Sequence, residues 1–343
     1  MKKTLLVLFV TFFATMSFAQ QQLATLNHND NITVYYGQNA LQQAHAAAVN
    51  GDIITLSPGL FEISTITKAI TIRGTGMFQN NSLGVEPTYL NLNSSLFLNI
   101  PSDTNHYLVI EGVHFRSSVF FNHVSNPRFI KCKFSSSFSN STSNPSMDGA
   151  MFINCILHSF YCNNSTNTTF INSVILLLDN GPANLMNCIA GIDHNSLSQK
   201  MIQNSILYSM LNVTPSLLNG NGCYNSIGIN TYSSYSTYFN LTNMAGHALY
   251  NKNSFNTVFK HFNRTSDNLN GYTNYYDGIS FELQDDIVSS ILGDDSTQVG
   301  IYGGAYPFDP IVRNPKIHRC NVSNRSTSDG KLAVDIEVVA DEE

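Results

Sequence analysis

The sequence predicts an all-β chain folded as a right-handed parallel β-helix, a single-stranded solenoid with a short N-terminal capping helix. Three observations carry this reading. One phrase recurs: FINCIL at 152–157, FINSVI at 170–175, LMNCIA at 185–190 and IQNSIL at 202–207. Its asparagines, Asn154, Asn172, Asn187 and Asn204, are spaced by 18, 15 and 17 residues, too close for a two-helix repeat and long enough for one solenoid coil. Charged residues are only 12% of the chain, and Asn, Ser and Thr supply the polarity instead, as expected where loops stack and charges would meet their like in the next coil.

The first residues, MKKTLLVLFVTFFATMSFA, carry Lys2 and Lys3, an apolar run and the small-x-small ending Ser17-Phe18-Ala19. They read as a signal peptide (1–19) cleaved near Ala19 and predict a secreted, periplasmic or cell-surface protein. The apolar run is short for a bilayer span, and no later segment is apolar enough to make one. Removing Lys2 and Lys3 leaves 15 basic against 23 acidic residues, a net charge of about −8, which argues against a polyanion such as nucleic acid as a partner. Roughly 320 mature residues without a linker suit one elongated domain over 20–310, followed by a short β extension over 311–343.

In chain order, Asn31 to Gly37 alternates like a strand. Asn39 caps a helix at about 40–49, whose Leu41, Ala44, Ala47 and Ala48 make a small apolar face. A solenoid has an open end, so this helix reads as its cap. Strands follow around Ile53 to Leu56, Ile63 to Ile66 and Ile70 to Ile72, closed by Gly74. The run ALQQAHAAAVNGDIITLSPGLFEISTITKAITIRGTG resembles the opening of right-handed parallel β-helix proteins of the pectate-lyase-like superfamily. In these a capping helix leads into a first coil ending in an Ile-x-Gly-x-Gly turn. The resemblance implies the fold rather than a chemistry.

The asparagine column extends in both directions to a turn ladder of Gly74, Gly112, Asn154, Asn172, Asn187, Asn204 and Asn225. Asn and Gly are the residues that most readily adopt the left-handed conformation, so the shared demand is a tight turn with positive φ. Stacked asparagines are also expected to hydrogen-bond along the column. Lys131 stands in the column at a residue type unsuited to that geometry, so either its turn differs or the register slips there. Asn93 fits by spacing, 19 residues from both Gly74 and Gly112.

With the turn residue as position zero, positions one and three share a face and are read as inward. They are Val113 and Phe115, Cys132 and Phe134, Cys155 and Leu157, Ser173 and Ile175, Cys188 and Ala190, Ser205 and Leu207. Position two then faces out and reads His114, Lys133, Ile156, Val174, Ile189, Ile206. The last four form an external aliphatic column, which should be covered by a loop, the tail or a partner. The opposite parity stays open, because runs such as VILLL at 174–178 fit either. Cys132, Cys155 and Cys188 share their position with Ser173, Ser205 and Ser226 and so read as buried thiols. A Cys132–Cys155 bridge between adjacent coils is the alternative, since strand spacing of about 4.8 Å is within disulfide reach.

From Asn219 to Tyr276 the pattern loosens, and 8 of the 16 tyrosines fall there. Tyr232, Tyr235, Tyr238, Tyr272, Tyr275 and Tyr276 are the candidate glycan-binding residues, since excursions from a solenoid often carry its binding face. The stretch 279–310 resembles the closing coil of secreted bacterial β-helix proteins of unknown activity, in which an acidic turn (Asp294-Asp295-Ser296-Thr297) precedes GIYGG (Gly300 to Gly304) and Tyr306-Pro307. In many of these a sorting domain of the type IX secretion route follows. None follows here before Glu343, which leaves surface anchoring and free release both open.

Cleavage of an acidic polysaccharide by β-elimination needs a base and a group that neutralises the uronate carboxylate. Hydrolysis needs paired carboxylates. No acid pair repeats at coil spacing; the inner coils offer only Asp179, Asp193, His194 and Lys200. The best cluster is Glu111, His114, Arg116, Arg128, Lys131 and Lys133, with His114 and Lys133 19 residues apart at one position of adjacent coils. His114 and Lys133 are therefore the catalytic candidates if the chain is a polysaccharide lyase or glycoside hydrolase. The expectation favoured here is non-catalytic binding of a polysaccharide or other cell-surface component. No cofactor is expected and no metal-ligand spacing is present; Asp285-Asp286 and Asp294-Asp295 could bind Ca²⁺, but they are acidic turns of a kind more often simply exposed and match no EF-hand or nonapeptide calcium repeat.

Overall fold

A computed structural model describes residues 22–79, 85–100, 105–140, 146–161, 165–179, 183–192, 201–209, 223–229, 249–252, 255–260, 280–312, 316–326 and 330–339. The chain is a parallel β-helix. Two strands, β1 (Leu23–His28) and β2 (Asn31–Tyr36), form an antiparallel hairpin, and α1 (Ala40–Ala47) follows before β3 (Ile53–Leu56) opens the first coil. Ala40, Leu41 and Ala44 of α1 are fully buried against the end of the core, where Lys68 Nζ accepts the role of C-cap by donating to the carbonyls of His45, Ala46 and Ala48 at 2.6–2.9 Å.

From β3 onward successive coils stack in parallel. One face is an eleven-stranded sheet running from β2 through β1 and β3 to Cys223–Tyr224; the second is a thirteen-stranded sheet running from Gly59–Phe61 to Leu249–Lys252. A short three-stranded sheet, His123–Ser125, Ser146–Asp148 and Ser165–Thr166, forms a third side. The C-terminal strands Lys316–Ser326 and Leu332–Val339 make a separate antiparallel hairpin.

The inward columns are those the alternation predicts. Phe115 stacks on Phe134 at 4.5 Å, and Phe129, Phe152 and Phe170 stack in turn at 4.9 and 4.7 Å, all buried within one continuous core. The Cys/Ser column is explained by hydrogen bonding as well as by size. Each member donates to the carbonyl two residues before it: Cys132 to Ile130, Cys155 to Ile153, Ser173 to Ile171, Cys188 to Met186, Ser205 to Gln203 and Ser226 to Tyr224, at 2.8–3.3 Å. The serine hydroxyls also accept an N–H from the preceding coil, as in Cys155 N to Ser173 Oγ at 3.0 Å. Cys132, Cys155 and Cys188 are buried free thiols, and burial raises the pKa of Cys188 to about 12.

The turn ladder departs from expectation at three places. Gly112, Asn154, Asn172, Asn187, Asn204 and Asn225 all have φ between 44 and 65°, but Gly74 is not left-handed. It is glycine because a Cβ there would lie 2.4 Å from Gly112 O and 2.8 Å from Thr88 Cβ. Lys131 keeps the turn with φ 52°, without a register slip. At the position suggested for Asn93 it is Asn91 that has positive φ, 50°, and its amide brackets Ile63, accepting from N and donating to O at 2.8 and 2.7 Å. A second left-handed column, Asn126, Gly149 and Asn167, turns the chain into the eleven-stranded sheet. Each of its members lies five residues before Lys131, Asn154 and Asn172 respectively, so its signal was a second column at the same spacing.

Candidate binding face

The outward column of the thirteen-stranded sheet runs Leu60, Tyr89, His114, Lys133, Ile156, Val174, Ile189, Ile206 and Ile227 in continuous register. Its aliphatic part is covered from within the chain. Ile156, Val174, Ile189, Ile206 and Ile227 are buried in a second, external core with Phe255, Val258, Phe259, Phe281, Leu283, Ile287, Val299 and Ile301. Ile287 comes from α2 (Asp285–Ser290). The inward and outward parities assigned from the alternation therefore hold.

The covering segment docks on the asparagine column. Asn172 Nδ2 donates to Ile301 O and Gly303 O at 2.8 and 2.6 Å. Asn204 Nδ2 donates to Asp294 Oδ1 at 2.7 Å and its Oδ1 accepts from Asp294 N, while Gly300 N donates to Asn204 O at 2.7 Å. Asn154, with its amide turned toward its acceptors, donates to Tyr306 O and Asn172 O at 3.3 Å. A Cβ on Gly304 would lie 2.8 Å from Asn187 Oδ1, so glycine permits the approach. In place of the expected side-chain ladder, the amides of Asn154, Asn172 and Asn204 hold the covering segment at Tyr306, at Ile301 and Gly303, and at Asp294, while Asn187 Nδ2 makes no hydrogen bond among the described residues. Lys131 completes the fastening: its Nζ meets Asp309 Oδ2 at 3.2 Å and Ile311 O at 2.6 Å.

The cover ends at Lys133, which is 8% exposed; its Nζ lies 5.0 Å from the Phe78 ring centroid. Beyond it His114, Tyr89 and Leu60 are half-buried. His114 pairs with Lys133 across the strands, as the 19-residue spacing requires, and its Nε2 is 2.6 Å from Ser135 Oγ. Burial first, then the charges of Lys133 and Arg116, lower the His114 pKa to about 3, so the imidazole is neutral over the physiological range. Arg116 is exposed, with its guanidinium 5.3 Å from the Tyr89 ring centroid, and Tyr89 is 5.2 Å from the His114 ring. A row of hydroxyls borders the group: Ser118 bonds Ser136 at 2.8 Å and Ser137 at 3.1 Å.

Of the six residues grouped from the sequence, only His114, Arg116 and Lys133 share this face. Glu111 and Arg128 lie on the eleven-stranded sheet, where Glu111 pairs with Arg73 at 3.6 Å and Arg128 lies 5.5 Å from the Tyr107 ring. Lys131 is committed to Asp309. Tyr89 and Phe78 are additions, missed because the coil between Gly74 and Gly112 breaks the period. Tyr232, Tyr235, Tyr238, Tyr272, Tyr275 and Tyr276 lie outside the described residues, as do Asp193, His194 and Lys200. Asp285 pairs with Lys260 at 2.8 Å, Asp295 accepts from Thr297 N and Oγ1, and Asp294 holds Asn204. Among the described residues no three His, Cys, Asp or Glu side chains come together as metal ligands, and no helix is long and apolar enough to cross a membrane. The chain matches no protein-family model, no curated protein and no solved structure.

Proposed function

We propose that the chain is a secreted β-helix protein that binds an anionic glycan, or a surface component bearing one, without cleaving it. Arg116 is the cation that meets the anion. The observation that carries this reading is the exposed Arg116 guanidinium, stacked on Tyr89 and in no ion pair with a carboxylate among the described residues. An unpaired planar guanidinium suits bidentate capture of a carboxylate or sulfate, and the neighbouring serine hydroxyls suit sugar hydroxyls. The net charge of about −8 without the leader works against a polyanion at long range, whereas the exposed Arg116 guanidinium acts at contact range. A polyuronate, with one charge per sugar, is also a less dense polyanion than duplex nucleic acid.

The same geometry weighs against elimination chemistry. A base should titrate near the working pH; His114, lowered to about 3, is a weak one. Lys133, the other candidate, sits beneath Phe78 with little exposure. The leader read over 1–19 and the resemblance of the opening coil to pectate-lyase-like proteins fit an exported, glycan-facing role. The test is calorimetric titration of the protein with polygalacturonate, alginate and a sulfated glucan. Binding to at least one is expected, with Arg116→Ala weakening it tenfold or more, since a charged hydrogen bond contributes roughly 1.5–3 kcal/mol. Equal binding by Arg116→Ala would remove the assignment.

A further inference from the structure

We propose that the chain forms a two-fold dimer through the open edge of β2. That strand ends the eleven-stranded sheet and bonds only β1 on one side. Gly37 N donates to Gln22 O at 2.8 Å, and in the Leu23↔Tyr36 register the antiparallel alternation then directs the backbone groups of Asn31, Thr33 and Tyr35 to β1. The N–H and C=O groups of Ile32, Val34 and Tyr36 point away from the sheet, and no described group bonds them. Their side chains are also among the most exposed apolar groups of the protein, at 67, 39 and 58%. An edge of this kind is ordinarily protected by Lys, Pro or a bulge; NITVYY has none of these.

The edge is self-complementary. Two β2 strands placed antiparallel about an axis at Val34 set Ile32 opposite Tyr36 of the second copy and Val34 opposite Val34. Each copy supplies three donors and three acceptors, so six backbone hydrogen bonds form. All three cross-strand side-chain pairs are then apolar, two of them aromatic with β-branched, which are favourable neighbours. The occupant that fits is a second copy, because one strand furnishes both halves of this register and the interface closes on itself. β2 also carries no charge, so two acidic chains meet where their repulsion is weakest. One strand pair is smaller than the interface of about 1,200 Å² typical of stable complexes, so the dimer is concentration-dependent.

Sedimentation equilibrium from micromolar to near-millimolar protein tests this. The weight-average mass should climb from one chain toward two, and Val34→Lys, at an exposed position whose backbone is not used by β1, should stay at one. A wild type that remains at one chain mass throughout, as it would if the edge served an unrelated peptide, overturns the proposal. So does a Val34→Lys protein that dimerises like wild type. Should Val34→Lys lose its native circular dichroism, amide exchange in wild type decides. The Ile32, Val34 and Tyr36 amides must slow with rising concentration, and concentration-independent exchange refutes the dimer.

Discussion

Replacing Asn172 by glycine isolates what the asparagine column does for the C-terminal segment. Asn172 is 1% exposed, and its amide satisfies the carbonyls of Ile301 and Gly303. Glycine keeps the left-handed turn, φ 45°, and removes only the amide. Leaving a buried acceptor without its donor costs about 1–3 kcal/mol. Two such carbonyls, with some relief from adjustment of the segment, give a loss of roughly 2–4 kcal/mol. Asn172→Ala should cost about 1 kcal/mol more, because a Cβ in the left-handed region is strained. Hydrogen exchange reads the effect locally: the amides of residues 300–304 should exchange roughly 30- to 700-fold faster, at a tenfold change per 1.4 kcal/mol. Exchange at the wild-type rate in Asn172→Gly would mean that the amide does not hold the segment, and the docking argument would fail.

Three further outcomes follow from the same contacts. Ile206→Ala, in the external core, and Leu207→Ala, on the inner side, should each destabilise by about 2–5 kcal/mol; urea midpoints compare the two, and an Ile206→Ala near neutrality would mean that the outer stripe is not a core. Cys155→Ser should stay within about 1 kcal/mol of wild type, because serine makes the same bond to the carbonyl two residues back; a large loss in thermal unfolding would deny the equivalence of the column's members. His114 should stay neutral in ring-proton NMR titrations down to about pH 3. The unfolded chain protonates this ring near 6.5, so it binds the extra proton between those limits, and stability must fall as pH drops through that window. Lys133→Met should raise the His114 pKa by removing one of the two neighbouring cations; an unchanged titration would show that the Lys133 charge has no part in it.

Much of the coil was legible because its constraints are local. A left-handed turn admits Asn or Gly, a crowded inward site with a carbonyl two residues back admits Cys or Ser, and alternation assigns Phe115 and Phe134 inward and Ile156 to Ile206 outward. What covers the outer column was not legible. Its fastening joins Asn172 to Ile301 and Gly303, 129 and 131 residues away, and no periodic pattern carries such a pairing. Lys131 illustrates the same limit: its left-handed turn is held by Asp309 and Ile311, so a residue that local preference disfavours is kept by distant partners. In the binding face, the 19-residue spacing placed His114 beside Lys133. It could not show that Phe78 would cover the lysine or that Tyr89 would lie under Arg116, since both come from a coil of irregular length.

Binding without cleavage is tested most directly by recovering the bound polymer. The protein, at a concentration equal to that of the sites on a size-defined polyuronate, is incubated to equilibrium, the complex is isolated, and the released polymer is sized and scanned for the ultraviolet absorbance of an unsaturated uronate end. The account predicts retention by wild type, loss of retention by Arg116→Ala, and a recovered chain of unchanged length with no new absorbance. Shortened, unsaturated chains from wild type that disappear with Lys133→Met or His114→Gln would contradict it and make this face a lyase site.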